Sequence, residues 1–201
     1  TADERAVAAH KICRTIDRNT LTEEDRIRAE EIIRVMAADA TELVRRALSV
    51  TLKNSPVVPH DVAVKLAHDV ESIALPILSY SPVFTDEDLI EIVRLGEPVR
   101  QVVIAKRPRV SRAVSSVIVE CGAERAVEAV CANDNADIAE SALQEVIARF
   151  EKSEQVLAAV AYRNVLPMSV TEKLIDLVSD QVRDHLLNHH EISAELALEI
   201  V

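Results

Sequence analysis

The sequence predicts an all-α fold, a solenoid of short helical hairpins behind a divergent N-terminal helical cap. Three observations predict it. Apolar anchors recur at a nearly fixed step, apolar pairs sit at a fixed register after each anchor, and nothing in the chain alternates as a strand would. Repeats are sought first because missing them misassigns a whole fold.

The repeat is clearest from Phe84, where FTDEDLIEIVRLGEPVRQVVIAKRPR is followed from Val110 by VSRAVSSVIVECGAERAVEAVCANDNAD. Val58, Phe84, Val110, Ile138, Leu166 and Ile192 serve as anchors, at steps of 26, 26, 28, 28 and 26 residues. Eight residues past them stand Leu66, Ile92, Ile118, Val146, Leu174 and Ile200; nine past stand Ala67, Val93, Val119, Ile147, Ile175 and Val201. All twelve are apolar. Twelve residues past two anchors lie the only glycines, Gly96 and Gly122. Glycine just after a helix takes the left-handed conformation that closes it. Each unit therefore opens with a helix of about ten residues, turns, and runs back along PVRQVVIAK, AERAVEAVCA or SEQVLAAVAY. One such hairpin cannot bury its apolar face alone, but stacked neighbours can. A right-handed or gently curved solenoid follows.

The predicted elements run in order along a single domain, 1–201. Residues 1–54 are atypical: an amphipathic helix over Ala2–Ile16, a second capped by Thr22 with acids in its first turn, and a third over Ala40–Lys53 capped by Asp39. The second carries Ile27, Ile32, Ile33 and Met36 at helical spacing; the third points Leu43, Val44, Ala47, Leu48 and Leu52 inward. Terminal units of solenoids depart from consensus because one face meets water. The repeats occupy 55–201. Pro59 suits a helix start, and Val62, Leu66 and Val70 share a stripe. Pro76 predicts a kink or short break. Thr85 to Asp88 and Ser169 to Glu172 read as capping boxes. Asn133-Asp134-Asn135 is a turn.

Composition narrows the function. Hydrophobic residues make up 49% of the 201, aromatics only 2%, and there is no Trp, so the core is built from Ala, Val, Ile and Leu. Two glycines exclude a Rossmann turn or a P-loop. A net charge of −11 and a pI near 5.0 disfavour nucleic acid and anionic membrane as partners. No apolar run reaches the roughly 20 residues of a membrane helix. Cys13, Cys121 and Cys131 form no C-x-x-C pair and read as reduced thiols of a cytoplasmic protein.

AADATELVRRALSVTLKNSP resembles a HEAT-type unit, with an Asp ahead of Val-Arg on its second helix. LPILSYSPVFTDEDLIEIV, followed by IAKRPRVSRAVSSVIVECG, resembles the DUF2336 family of uncharacterised bacterial proteins, found largely in alphaproteobacteria. The resemblance covers about Arg28 to Leu166 and is most specific over Leu75–Val83. It implies a HEAT-like or leucine-rich-variant helical-repeat fold, and no activity or catalytic residue.

The candidate site is a basic run. From Pro98 to Val119 there is no acid, yet Arg100, Lys106, Arg107, Arg109 and Arg112 occur, and Ser111 caps the helix that follows. Guanidinium groups beside a helix N-terminus favour anions, which marks a dock for an acidic or phosphorylated protein. The competing reading is internal balance against Glu87, Glu91 or Glu120. His185, His189, His190 and Glu191 invite a metal, but helix-end histidines suit the dipole without one. Cys121 and Cys131 read as small buried thiols. Tyr80 and Tyr162 stand before turns, as partner anchors or as edge-of-core packing. Asp86, Glu87 and Asp88 read as helix-capping acids rather than a catalytic pair. No nucleophile elbow or glycine-built oxyanion site occurs, and no cofactor or metal is expected. The sequence thus favours a non-enzymatic protein–protein interaction scaffold or adaptor. The alternative is a nucleic-acid-processing or other enzyme on a HEAT-like scaffold, against which charge and aromatic scarcity weigh. A signalling arm displaced by a phosphorylated regulator is a variant of the first reading.

Overall fold

Helices account for all the regular structure in the computed structural model, which describes residues 1–16 and 21–193. Among the described residues there are thirteen α-helices and no strand; one isolated parallel bridge joins Val110 and Ala136. The first five are α1 Ala2–Ile16, α2 Glu23–Ala37, α3 Glu42–Leu52, α4 His60–Ala67 and α5 Glu71–Tyr80. Then come α6 Asp86–Arg94, α7 Pro98–Ala105, α8 Arg112–Cys121 and α9 Glu124–Cys131. The last are α10 Glu140–Arg149, α11 Glu154–Ala161, α12 Met168–Ile175 and α13 Asp180–His189. The chain forms two compact units, 1–88 and 89–201, dividing inside α6.

The repeat register is a burial register. Leu66, Ile92, Ile118, Val146 and Leu174 are all buried, and so are Ala67, Val93, Val119, Ile147 and Ile175. Each pair lies near the end of the first helix of its hairpin, α4, α6, α8, α10 or α12. The anchors Val58, Phe84 and Val110 are buried, while Ile138, Leu166 and Ile192 are half-buried. Ile200 and Val201 lie outside the described residues.

Within each unit most helices pack on the helix two places along the chain. In the second unit α7 lies on α9, α9 on α11 and α11 on α13, while α8 lies on α10 and α10 on α12. The first unit obeys the same rule: α1 lies on α3, α3 on α5, and α2 on α4. Residues 1–54 miss the sequence register but not the packing. That packing needs an apolar face rather than a given residue at a given step, and Val44, Leu48 and Leu52 supply one on α3.

Polar side chains tie one hairpin to the next. Two residues past α9, Asn133 Nδ2 donates to the carbonyls of Ala105 and Arg107 at the end of α7, each at 2.9 Å. Two residues past α11, Arg163 donates to the carbonyls of Cys131 (2.9 Å), Asn133 (3.1 Å) and Ala136 (3.0 Å) at and just past the end of α9. One residue past α13, His190 Nε2 donates to Ala161 O at 3.2 Å. The last carbonyls of a helix have no intrahelical donor; here the following hairpin provides one. Buried Gln101 works similarly, donating to Val93 O (2.8 Å) and accepting from Ala123 N (2.9 Å).

Several local expectations hold. Thr22 accepts from Asp25 N, and Ser111 accepts from Val114 N. Thr85 and Asp88 exchange the two hydrogen bonds of a capping box, at 2.7 and 3.2 Å. Gly96 closes α6 at a φ of 80°.

Others are corrected. Gly122 is not left-handed; its φ is −68°, and a Cβ there would stand 2.4 Å from Ile118 O. Glycine is needed at 122 for proximity, not for dihedral freedom. Ser169 is no cap, because α12 already begins at Met168; its hydroxyl donates instead to Glu140. The third helix starts at Glu42, with Thr41 at its N-cap, and Asp39 accepts from Thr41 N at 2.8 Å in the turn before it. Leu43, Ile27, Ile32 and Val70 are exposed. Helix α5 runs through Pro76 without a break. Burial of Ile73, Ala74, Ile77 and Leu78 offsets the roughly 3 kcal/mol a mid-helix proline costs.

Candidate functional site

The second helices of the hairpins carry an open, largely apolar surface in the second unit. A groove of about 730 Å³ lies between α7 and α9, floored by Val99, Val102, Val103, Ala129 and Ala132. Lys106, Arg125 and Glu128 stand on its rim. Glu128 and Ala132 also line the adjoining depression between α9 and α11, with Ala158, Ala159 and Tyr162. The two make one furrow across α7, α9 and α11. Small residues shape it: alanines leave room where larger side chains would fill the space between helices. Tyr162 ends it, half-exposed, its ring 4.5 Å from that of His185.

The basic run does not form one exposed set. Arg100 is buried and pairs with Glu97 at 2.5 Å. Arg107 is buried two residues past α7, the position that Asn133 holds past α9 and Arg163 past α11. It therefore occupies the hairpin-tying register, and burial lowers its guanidinium pKa from the usual range. Arg112 pairs with Asp137 at 3.1 Å, an acid the sequence did not suggest, while Glu120, which it did suggest, stands 3.9 Å from Arg94, outside the run. Lys106 and Arg109 are exposed, and of the five basic residues only Lys106 lines the furrow.

His185, His189 and His190 gather at the end of α13. The His185 and His189 rings stack with centroids 4.2 Å apart, and His190 lies edge-on to His185 at 6.0 Å. His189 Nδ1 donates to His185 O at 2.9 Å. Burial, then the neighbouring imidazoles, push the His185 pKa down. Among the described residues no group of three or more His, Cys, Asp or Glu is placed to hold a metal ion.

Cys131 is buried, and burial pushes its thiol up to about 12, partly offset by Arg163. Cys121 departs from the expectation of a buried thiol: it is exposed, its Sγ donating to Val117 O at 3.2 Å. Tyr80 is exposed, with Lys53 Nζ 5.0 Å from its ring centroid. No helix of the described residues is long and apolar enough to cross a membrane.

Sequence reasoning missed the furrow. Its signal was there: half-exposed valines and alanines on the second helices, where an outward face ordinarily carries charge.

An all-helical chain with such a furrow is consistent with many helical families, and the comparison with known families decides among them. The chain belongs to DUF2336, a family described as uncharacterised protein conserved in bacteria, which matches residues 73–201. The match takes in the Leu75–Val83 segment and extends past Leu166. It begins after the AADATELVRRALSVTLKNSP stretch, which lies outside it. No curated protein and no solved structure matches the chain.

Proposed function

We propose that the chain is a non-enzymatic, cytoplasmic interaction scaffold that seats a protein partner in the furrow across α7, α9 and α11. The observation that carries this reading is the furrow: two adjoining depressions across three helices that share Glu128 and Ala132, lined by valines and alanines and by half-exposed Tyr162. Tyrosine on the edge of an apolar pocket is a frequent anchor of binding energy. The every-second-helix packing supports a HEAT-like solenoid, in which one row of helices faces the partner. Lys106 and Arg125 on the rim favour a partner with acidic residues flanking its apolar contacts.

Affinity capture from a bacterial lysate tests it with Ala129→Arg, which fills the floor, and Tyr162→Ala, which removes the anchor. The wild-type chain is expected to retain a defined protein that both variants lose, while each variant melts as a folded protein. Identical retention by all three, or no retention by the wild type, overturns the proposal.

A further inference from the structure

We infer that the element docked in the furrow is an α-helix of another protein: an amphipathic helix laid along the groove between α7 and α9, with an acidic residue on each side of its apolar stripe. This rests on the furrow being the docking face, and it specifies what fits there.

The lining decides between a helix and an extended peptide. An extended segment needs the groove to satisfy its backbone N–H and C=O groups, and burying them without partners is costly. The α7–α9 groove offers them almost nothing. Its floor is Val99, Val102, Val103, Ala129 and Ala132, and the one side-chain amide in its lining, Asn133, is engaged. Asn133 Nδ2 donates to Ala105 O and Arg107 O, and its Oδ1 accepts from Asn135 N at 3.1 Å. Among the described residues there is no strand whose edge could take up a peptide. Nor is the groove lined by the aromatic rings that grip a proline-rich segment; Tyr162 lies in the adjoining depression. A helix satisfies its own backbone and needs only an apolar channel.

The channel suits a helix in length and depth. Helices α7 and α9 run in the same direction: Asn133, just past α9, reaches the carbonyls at the end of α7, and Gln101 within α7 accepts from Ala123 N at the start of α9. The lining extends from Pro98 to Lys106 on one side and from Arg125 to Asn133 on the other, each about 12 Å or two turns. Alanine at 129 and 132 lets a third helix approach closely.

The two ends carry the charge. Lys106 stands at the carboxyl end of α7 and Arg125 in the first turn of α9. Both are exposed, and neither has an ion pair among the described residues. Because α7 begins at Pro98 and α9 at Glu124, Arg125 is level with Val99. The cations therefore face each other diagonally, on opposite sides and about 10 Å apart along the channel. Two acids about two turns apart on the docked helix, one on each side of its stripe, meet both. Glu128, on the α9 rim beyond Arg125, disfavours a third acid beside it.

Fluorescence anisotropy of the full chain with synthetic peptides tests this. The probe is a labelled peptide of about 16 residues, with leucines on one helical face and a glutamate on each side of them about two turns apart. It is expected to bind, and to gain helix by circular dichroism as it does. The same peptide with a central proline should bind about tenfold or more weakly. Lys106→Glu combined with Arg125→Glu should weaken the glutamate peptide about tenfold or more and should prefer a peptide with lysines in place of the glutamates, a reversal that no folding defect produces. Equal affinity for the proline version, binding without gain of helix, or an unchanged charge preference overturns the inference, as does no binding by any peptide. If lysate capture still retains a protein that Ala129→Arg loses, the furrow keeps its partner and only the helical form is wrong. If Ala129→Arg binds the peptide as the wild type does, the furrow falls with it.

Discussion

Arg163 ties two hairpins together, and replacing it should loosen the second unit measurably. Its guanidinium donates to three carbonyls at and just past the end of α9, those of Cys131, Asn133 and Ala136, from the far end of the next hairpin. Arg163→Met keeps much of the side-chain stem and removes every donor. Hydrogen bonds from a charged group contribute about 1.5–3 kcal/mol, and half-exposed carbonyls recover part of that from water. The loss should therefore be about 2–3 kcal/mol. For a domain of this size each kcal/mol moves the midpoint by about 2–4 °C, so Tm should fall by about 4–12 °C. Differential scanning calorimetry at pH 7 reads it. Arg163→Lys, which keeps the charge but not the fork, should fall between. A drop of under about 2 °C for Arg163→Met would show that the hairpins are held by apolar packing alone, and the tying register would lose its meaning.

The two glycines separate by mechanism. Gly96→Ala should cost about 1–2 kcal/mol through its φ of 80°, and Gly96→Asn appreciably less. Gly122→Ala should cost about 1–3 kcal/mol through the approach of Cβ to Ile118 O, and Gly122→Asn should do no better; urea melts decide. Asp39 accepts from Arg5 and from Thr41 N, which hold its carboxyl down at about 2. A depressed folded pKa means stability is present above the ordinary value near 3.8 and is lost as pH falls toward about 2. Acid unfolding followed by circular dichroism should show this, and Asp39→Asn should flatten that part of the curve. Alkylation of the folded chain with iodoacetamide at pH 8, read by mass spectrometry, should label exposed Cys121 and spare Cys131, whose thiol burial keeps protonated. Equal labelling of both would contradict the buried position of Cys131.

How far the sequence could be read depended on which force acted. The paired apolar positions ending at Ile175 were legible because burying apolar area is non-directional, so any aliphatic serves and the pattern survives in composition alone. Capping by Thr22, Thr85 and Ser111 was legible because a cap is a local bond over three residues. Charges were not legible in the same way. Arg107 and Arg109 are two residues apart and chemically identical, yet one is buried and the other exposed. The difference lies in hairpin register, which Arg107 shares with Asn133 and Arg163 and Arg109 does not. Ser169 sits in a plausible capping motif but inside a helix, because Pro167 had already begun it. The furrow was hidden because it arises from what small side chains omit.

The central claim is that the α7–α9–α11 face is where a partner sits. A photo-crosslinking amino acid placed at Val99, in the furrow, and separately at exposed Glu145 on α10 tests it most directly in cells. The account predicts a discrete covalent adduct to one protein from position 99 and none from position 145. The same adduct from both positions, or from position 145 alone, would contradict it.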